Sequence, residues 1–198
     1  MTPQPSRIHL FQGYGVELEY MIVDRDTLAV KPIADELLKY ELGRYDSDFE
    51  NGMITWSNEL VLHVIELKST RPERDMAALK VSFQENVETI NTILSTWNAM
   101  LMPTGAHPFM NPQTDTRLWP HDSNDVYAMY NKIFNCHGHG WSNLQSVHIN
   151  LPFYDDEEFA KLHAAVRMVL PILPGLCAST PILDGKLTGI YDTRLKYY

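Results

Sequence analysis

The chain has 198 residues, 44% hydrophobic and 21% charged, an ordinary composition for a globular domain large enough to bury a core. A formal net charge of −9 argues against a nucleic-acid binder, yet it allows a nucleotide whose phosphates are neutralised by a divalent metal. Two cysteines imply no disulfide framework and fit a reducing, cytoplasmic setting, and neither a signal segment nor a membrane-spanning run is expected.

Residues 1–7 read as a loose start and residues 8–23 as a strand region, with Gly13 and Gly15 loosening the backbone ahead of Glu17. Within it Val16, Leu18, Tyr20 and Ile22 alternate with Glu17 and Glu19, so the apolar set packs on a core. The two carboxylates then stand about 6–7 Å apart on the opposite face. Like charges so placed repel unless a cation lies between them, and paired carboxylates are hard oxygen ligands suited to Mg²⁺ or Mn²⁺. A solvated edge-strand face is the plainer reading of the same pattern.

A short helix is expected over 35–41 and a hairpin at Asn51-Gly52. Residues 60–67 form an apolar, β-branched run interrupted by Glu66, a charge that needs an ion-pair partner such as Lys68 or Arg71, or a metal. Glu59 precedes Glu66 by seven residues. In a regular strand the two would lie on opposite faces about 23 Å apart, so they share a site only if a bend or bulge intervenes. Near-helical spacing predicts a long helix over 73–100, followed by a strand to Thr104.

Residues 105–125 read as a long loop, 126–135 as a short helix, 144–152 as a strand and 155–169 as a helix with acidic residues at its N-terminus. On the 144–152 strand, alternation puts Ser146, His148 and Asn150 on one face. The last segment, 179–198, is a loop whose glycines, hydroxyls and cations, among them Thr188 and Arg194, suit an anionic ligand. Cys136, His137 and His139 raise zinc as a competing reading, although their spacing matches no common zinc module. Interleaved strands and helices with a hairpin signal predict an α+β fold with a mostly antiparallel sheet.

Five segments in order resemble the glutamate–cysteine ligase family, in particular its second type, the carboxylate–amine ligases. They are Gly15-Val16-Glu17-Leu18-Glu19, the stretch from Glu59 to Glu66 with Ser69-Thr70, Gly105-Ala106-His107-Pro108-Phe109, Val147-His148-Ile149-Asn150-Leu151-Pro152, and the loop from Gly185 to Arg194. The resemblance implies a glutamine-synthetase-like fold: a curved, mostly antiparallel sheet with helices on one face and metals, ATP and glutamate on the other. It also implies ATP-dependent ligation through a γ-glutamyl phosphate to an amine such as cysteine, in the cytoplasm.

By position, Glu17, Glu19, Glu59, Glu66 and His148 would be metal ligands. His148, Asn150, Thr188 and Arg194 would meet the nucleotide, and Arg194 and His148 would serve catalysis. His107 matches a family signature without a definite role. Two departures stand out: Ser146 replaces the first histidine of a His-x-His pattern, and family members are considerably longer. Residues 1–198 are therefore expected to be one domain forming the N-terminal part of a longer catalytic fold, with an open sheet edge that could pair with another copy. Ligand binding without catalysis is the alternative this shortness raises.

Overall fold

The structure is a computed structural model that describes residues 7–197; the rest of the expected loose start, and Tyr198, lie outside them. Six strands form the main sheet: β1 (Gly15–Asp24), β2 (Asp48–Asn51), β3 (Ile54–Asn58), β4 (Val64–Ser69), β5 (Ala99–Met102) and β6 (Val147–Asn150). The order is β2-β3-β4-β1-β5, with β6 also on β1, and every pairing is antiparallel. β4 covers one edge of β1. The other edge is shared: β5 pairs with Met21–Asp24 and β6 with Gly15–Leu18.

Helices α1 (Ala34–Leu42) and α2 (Met76–Ser95) cover one face of this sheet. The alternation read from the sequence supplies that face with Val16, Ile22, Ile54, Trp56, Ile65, Leu67 and Leu101, which meet Leu37, Leu38, Leu79, Phe83, Ile90 and Leu94 in one buried core. Each such side chain contributes about 1.5–3 kcal/mol when fully buried. Asp75 starts α2, three residues later than expected, by accepting from the backbone N–H of Ala77 and Ala78. The helix also ends early: the Thr96 hydroxyl takes the Ile93 carbonyl, and Asn98 at φ 53° turns the chain into β5. Gly43 at φ 69° closes α1 in the left-handed conformation.

Several boundaries differ from expectation. The strand expected over 60–67 begins only at Val64, the strand region expected from residue 8 begins at Gly15, and that over 144–152 narrows to Val147–Asn150. The 105–125 loop holds the short α3 (Pro112–Asp115), and α4 (Asn124–Phe134) and α5 (His139–Ser142) follow. Beyond β6 come α6 (Asp156–Val169) and α7 (Leu173–Cys177), neither with a buried residue. The 179–198 segment is more ordered than a plain loop, with a two-stranded hairpin, β7 (Ile182–Leu183) and β8 (Lys186–Leu187), then a 3-10 turn at Thr193–Lys196. Among the described residues no helix is long and apolar enough to cross a membrane.

Candidate functional site

The sheet face turned away from α1 and α2 carries the polar partners of the same alternation. Register sets Glu19 opposite Glu66, Glu66 opposite Ser57, and Glu17 opposite both Lys68 and His148. Gly15 stands opposite Asn150. His148 Nδ1 lies 2.8 Å from Glu17 Oε2, and Asn150 Nδ2 donates to Glu17 Oε1 at 2.7 Å. The Ser146 backbone N–H donates to Glu19 Oε2 at 2.9 Å, and Ser57 Oγ donates to the buried Glu66 at 2.8 Å. Lys68 Nζ, 3.5 Å from Glu66 and 3.3 Å from Asp48, is the ion-pair partner that Glu66 needs.

Glu59 joins this row because the chain bends. Residues 59–63 leave the sheet between β3 and β4, pinned by an isolated bridge from Val61 to Leu118. The bridge is made of two bonds, Leu62 N–H to the Arg117 carbonyl at 2.8 Å and Trp119 N–H to the Leu60 carbonyl at 3.0 Å. The long 105–125 loop thus holds the bend that a regular strand would lack. With it, carboxylate oxygens of Glu19, Glu59 and Glu66 come within 4.8 Å of one another. Glu17, Glu66 and His148 form a second set at the same spacing, so Glu66 belongs to both.

This gathering is electrostatically unfavourable without a cation. Burial first, then the charges of Glu19 and Glu66, push the Glu59 carboxyl up to about 7. Burial likewise raises Glu19, against the opposing hydrogen bond from Ser146. Four carboxylates with one imidazole, mostly oxygen donors at ligand spacing, match a hard divalent ion such as Mg²⁺ or Mn²⁺. Cys136, His137 and His139 do not gather in this way. His139 takes Asn143 and Asp184 as partners, and among the described residues no cluster of three metal-ligating side chains includes any of the three.

Two cavities flank the acidic row. One, of about 490 Å³, is lined by Glu19, Gln145, Ser146, His148, Ser179 and Arg194 among others. Arg194 reaches it from the C-terminal 3-10 turn, its guanidinium bound to Asp192 at 3.1 and 3.5 Å and to the Gln145 carbonyl at 2.9 Å. Gly105 makes room for it: a Cβ there would overlap Ser179 Oγ and come within 3.1 Å of the guanidinium carbon. The second cavity, of about 330 Å³, opens beside Glu17 and Asn150 and is lined by Lys68, Ser69, Thr70 and Arg71.

Of the residues singled out from sequence, Glu17, Glu19, Glu59, Glu66, His148, Asn150 and Arg194 therefore surround one continuous site. Thr188 lines neither cavity; its hydroxyl is tied to Thr193 at 2.6 Å and to the Pro181 and Ile190 carbonyls, bracing the C-terminal loop. His107 is a buried latch: its ring bonds the Leu28 carbonyl and the Phe109 N–H, and its backbone pairs with the Asn143 amide. Sequence reading missed Ser57, Gln145 and Asn143. Extending the alternation of Ile54 and Trp56 to Thr55 and Ser57 would have found the first; Gln145 and Asn143 act through contacts that no local pattern announces.

Comparison with known proteins places the chain in a family. An "Uncharacterized protein" of Archaeoglobus fulgidus is 35% identical over 184 residues, covering 93% of this chain and 49% of the relative. Proteins named "Putative glutamate--cysteine ligase 2" from Laribacter hongkongensis and Ruegeria pomeroyi are 28% and 24% identical over 91% and 93% of this chain, and 45% and 44% of their own lengths. The chain thus spans less than half the length of these relatives. The profile described as "Glutamate-cysteine ligase family 2" matches residues 14–198, which take in the acidic row, the bend and the Arg194 turn. On that match the chain belongs to glutamate-cysteine ligase family 2.

Proposed function

We propose that this chain carries the metal and nucleotide centre of an ATP-dependent carboxylate–amine ligase that forms a γ-glutamyl amide through an acyl phosphate. The observation that carries the reading is the pair of ligand sets sharing Glu66, on one face of an antiparallel sheet. The helix-backed sheet with its polar face free is also what a glutamine-synthetase-like fold, of which residues 1–198 would be the N-terminal part, requires.

In this reading Glu17, Glu19, Glu59, Glu66 and His148 hold Mg²⁺ or Mn²⁺, which supplies the positive charge that polyphosphate and acyl transfer need. Glu17 orients the His148 ring through Nδ1, and Asn150 in turn orients Glu17. Arg194, steadied by Asp192, presents its remaining donor edge to a carboxylate or phosphoryl oxygen in the larger cavity. The walls of that cavity, Leu18, Tyr20, Pro103 and Val147 with Arg194 and Gln145, give an amino acid both apolar and polar contacts.

The test is Mn²⁺ binding by electron paramagnetic resonance, with and without ATP, for the chain and for its Glu17→Gln, Glu19→Gln double variant. The expected result is binding that ATP strengthens and the variant loses by at least about 100-fold, the upper end of what losing ligands and their orienting partners costs. Equal binding by the two proteins sinks the reading. Binding of Mn²⁺ and ATP with no turnover of glutamate and an amine would assign the chain a binding role instead.

A further inference from the structure

The two cavities beside the acidic row differ in the cations they offer. In the larger one the single guanidinium, Arg194, is already neutralised by both carboxylate oxygens of Asp192. In the smaller one Arg71 is exposed and makes no ion pair among the described residues, and Lys68 projects from the neighbouring strand. Ser69 and Thr70 lie between them, and Asn150 and Glu17 form the opposite wall. Glu17 also belongs to the ligand set with Glu66 and His148, so a cation held there would sit at the mouth of this cavity.

Lys68 has a second peculiarity. Its ammonium stands 3.5 Å from Glu66, the carboxylate common to both ligand sets, and 3.3 Å from Asp48, which is exposed. It therefore occupies ground that a divalent ion would contest. An ion on Glu66 repels the ammonium, and the side chain can swing toward Asp48 or into the cavity. Lysine binds phosphate as a flexible point charge, while arginine binds it with a planar fork.

Resting on the ligase reading, we propose that the smaller cavity is the polyphosphate subsite, with Arg71 and Lys68 as its cations, and that Lys68 exchanges Glu66 for a phosphate oxygen when the metal arrives. The acid substrate is thereby left the Arg194 cavity. Its carboxylate oxygen bonds to the terminal phosphorus of the polyphosphate while the bond from that phosphorus to the bridging oxygen breaks, and the shortened polyphosphate leaves with the electron pair, held by Lys68 and Arg71. Lys68 serves as an internal counter-cation before binding and as a ligand contact after it.

The experiment titrates Mn²⁺ into the 198-residue chain with and without inorganic triphosphate, reading free Mn²⁺ by electron paramagnetic resonance. Wild type, Arg71→Ala, Arg71→Lys, Lys68→Met and Arg194→Ala are compared, with circular dichroism melts verifying that each is folded. Triphosphate should tighten Mn²⁺ binding in wild type. Arg71→Ala should leave Mn²⁺ binding unchanged and cut the triphosphate effect about tenfold, the loss of one charge-assisted contact, with Arg71→Lys restoring part of it.

Lys68→Met should move the two readings in opposite directions: Mn²⁺ alone binds several-fold tighter because the competing ammonium is gone, while the triphosphate effect falls. A merely structural lysine would not split them. If the Arg71 and Lys68 variants keep the full triphosphate effect, or if only Arg194→Ala loses it, the subsite is wrong and the ligase reading stands. If wild type binds no Mn²⁺, both fall.

Discussion

Glu59 and Gly105 show how single side chains are bound to the geometry around them. Glu59, held up to about 7 by burial and by its neighbours' charges, binds a proton in the folded chain over a range where the unfolded chain, with an ordinary value of 4.5, does not. Its stabilising contribution is therefore complete below pH 4.5 and is lost as pH rises through about 7. Glu59→Gln keeps the neutral form at every pH. We expect the variant's advantage over wild type in urea unfolding to be small at pH 4.5 and to grow to about 1–3 kcal/mol at pH 8, with weaker Mn²⁺ binding. An advantage independent of pH would show that Glu59 does not carry the strain of the cluster. Gly105→Ala drives a methyl group into Ser179 and the Arg194 guanidinium. It should lower unfolding stability by about 1–3 kcal/mol, as overpacking does. Ser179→Gly in the same chain should restore part of that loss, and no restoration would place the strain elsewhere.

Between elements, the decisive contacts are few. Helix α2 docks on the sheet through its apolar face and through polar groups, among them Asn91, which accepts from the Leu101 N–H of β5 at 2.9 Å, and Asn86, which is 5% exposed. Its carbonyl oxygen accepts from Trp56 Nε1 at 2.6 Å and from Asn51 Nδ2 at 3.0 Å, while its Nδ2 donates to the Ser82 carbonyl. This places the β2–β3 hairpin against the helix, and the hairpin carries Ser57 to Glu66. Asn86→Ala leaves the buried Trp56 N–H without a partner and should cost about 2–3 kcal/mol in urea unfolding. A cost below about 0.5 kcal/mol would mean the hairpin is held by packing alone. The bend over 59–63 is the other joint: it depends on two backbone hydrogen bonds with residues 117–119, so the acidic row is assembled only when the long loop is in place.

For the molecule as a whole, two buried groups oppose one another in their response to pH. His63, fully buried, donates from Nε2 to the Ser142 carbonyl at 2.7 Å, while its Nδ1 has no partner among the described residues. Burial lowers it from 6.5 to about 4, so the folded chain loses stability as pH falls from 6.5 toward 4. Glu59, and in the same direction Glu19, gain stability over much of that range. Wild-type stability should therefore stay nearly level between pH 4.5 and 6.5, whereas Glu59→Gln should lose about 2 kcal/mol on acidification across it. Thermal melts of the two proteins at pH 4.5, 5.5 and 6.5 check this, and parallel curves would refute the opposition.

Much of this architecture was readable along the chain because strand and helix periodicities are local consequences of backbone geometry. The alternation of Val16 to Ile22, the spacing of α2, the Asn51-Gly52 turn and the placing of Glu17, Glu19 and His148 on polar faces all came from neighbours in sequence. Boundaries were less legible: a cap at Asp75 starts the helix after Glu73 and Arg74, and a left-handed Asn98 stops it while the apolar residues run on past it. The order of the family's five segments was likewise present in the residues alone. The union of Glu59 with Glu66 was not, because it needs a bend held by residues more than fifty positions away. Nor were the seat of Arg194 over Gly105, the latch of His107 on Asn143, or the bracing role of Thr188. Each of these is a contact between distant segments, and such contacts exist only after burial of the common core has brought those segments together.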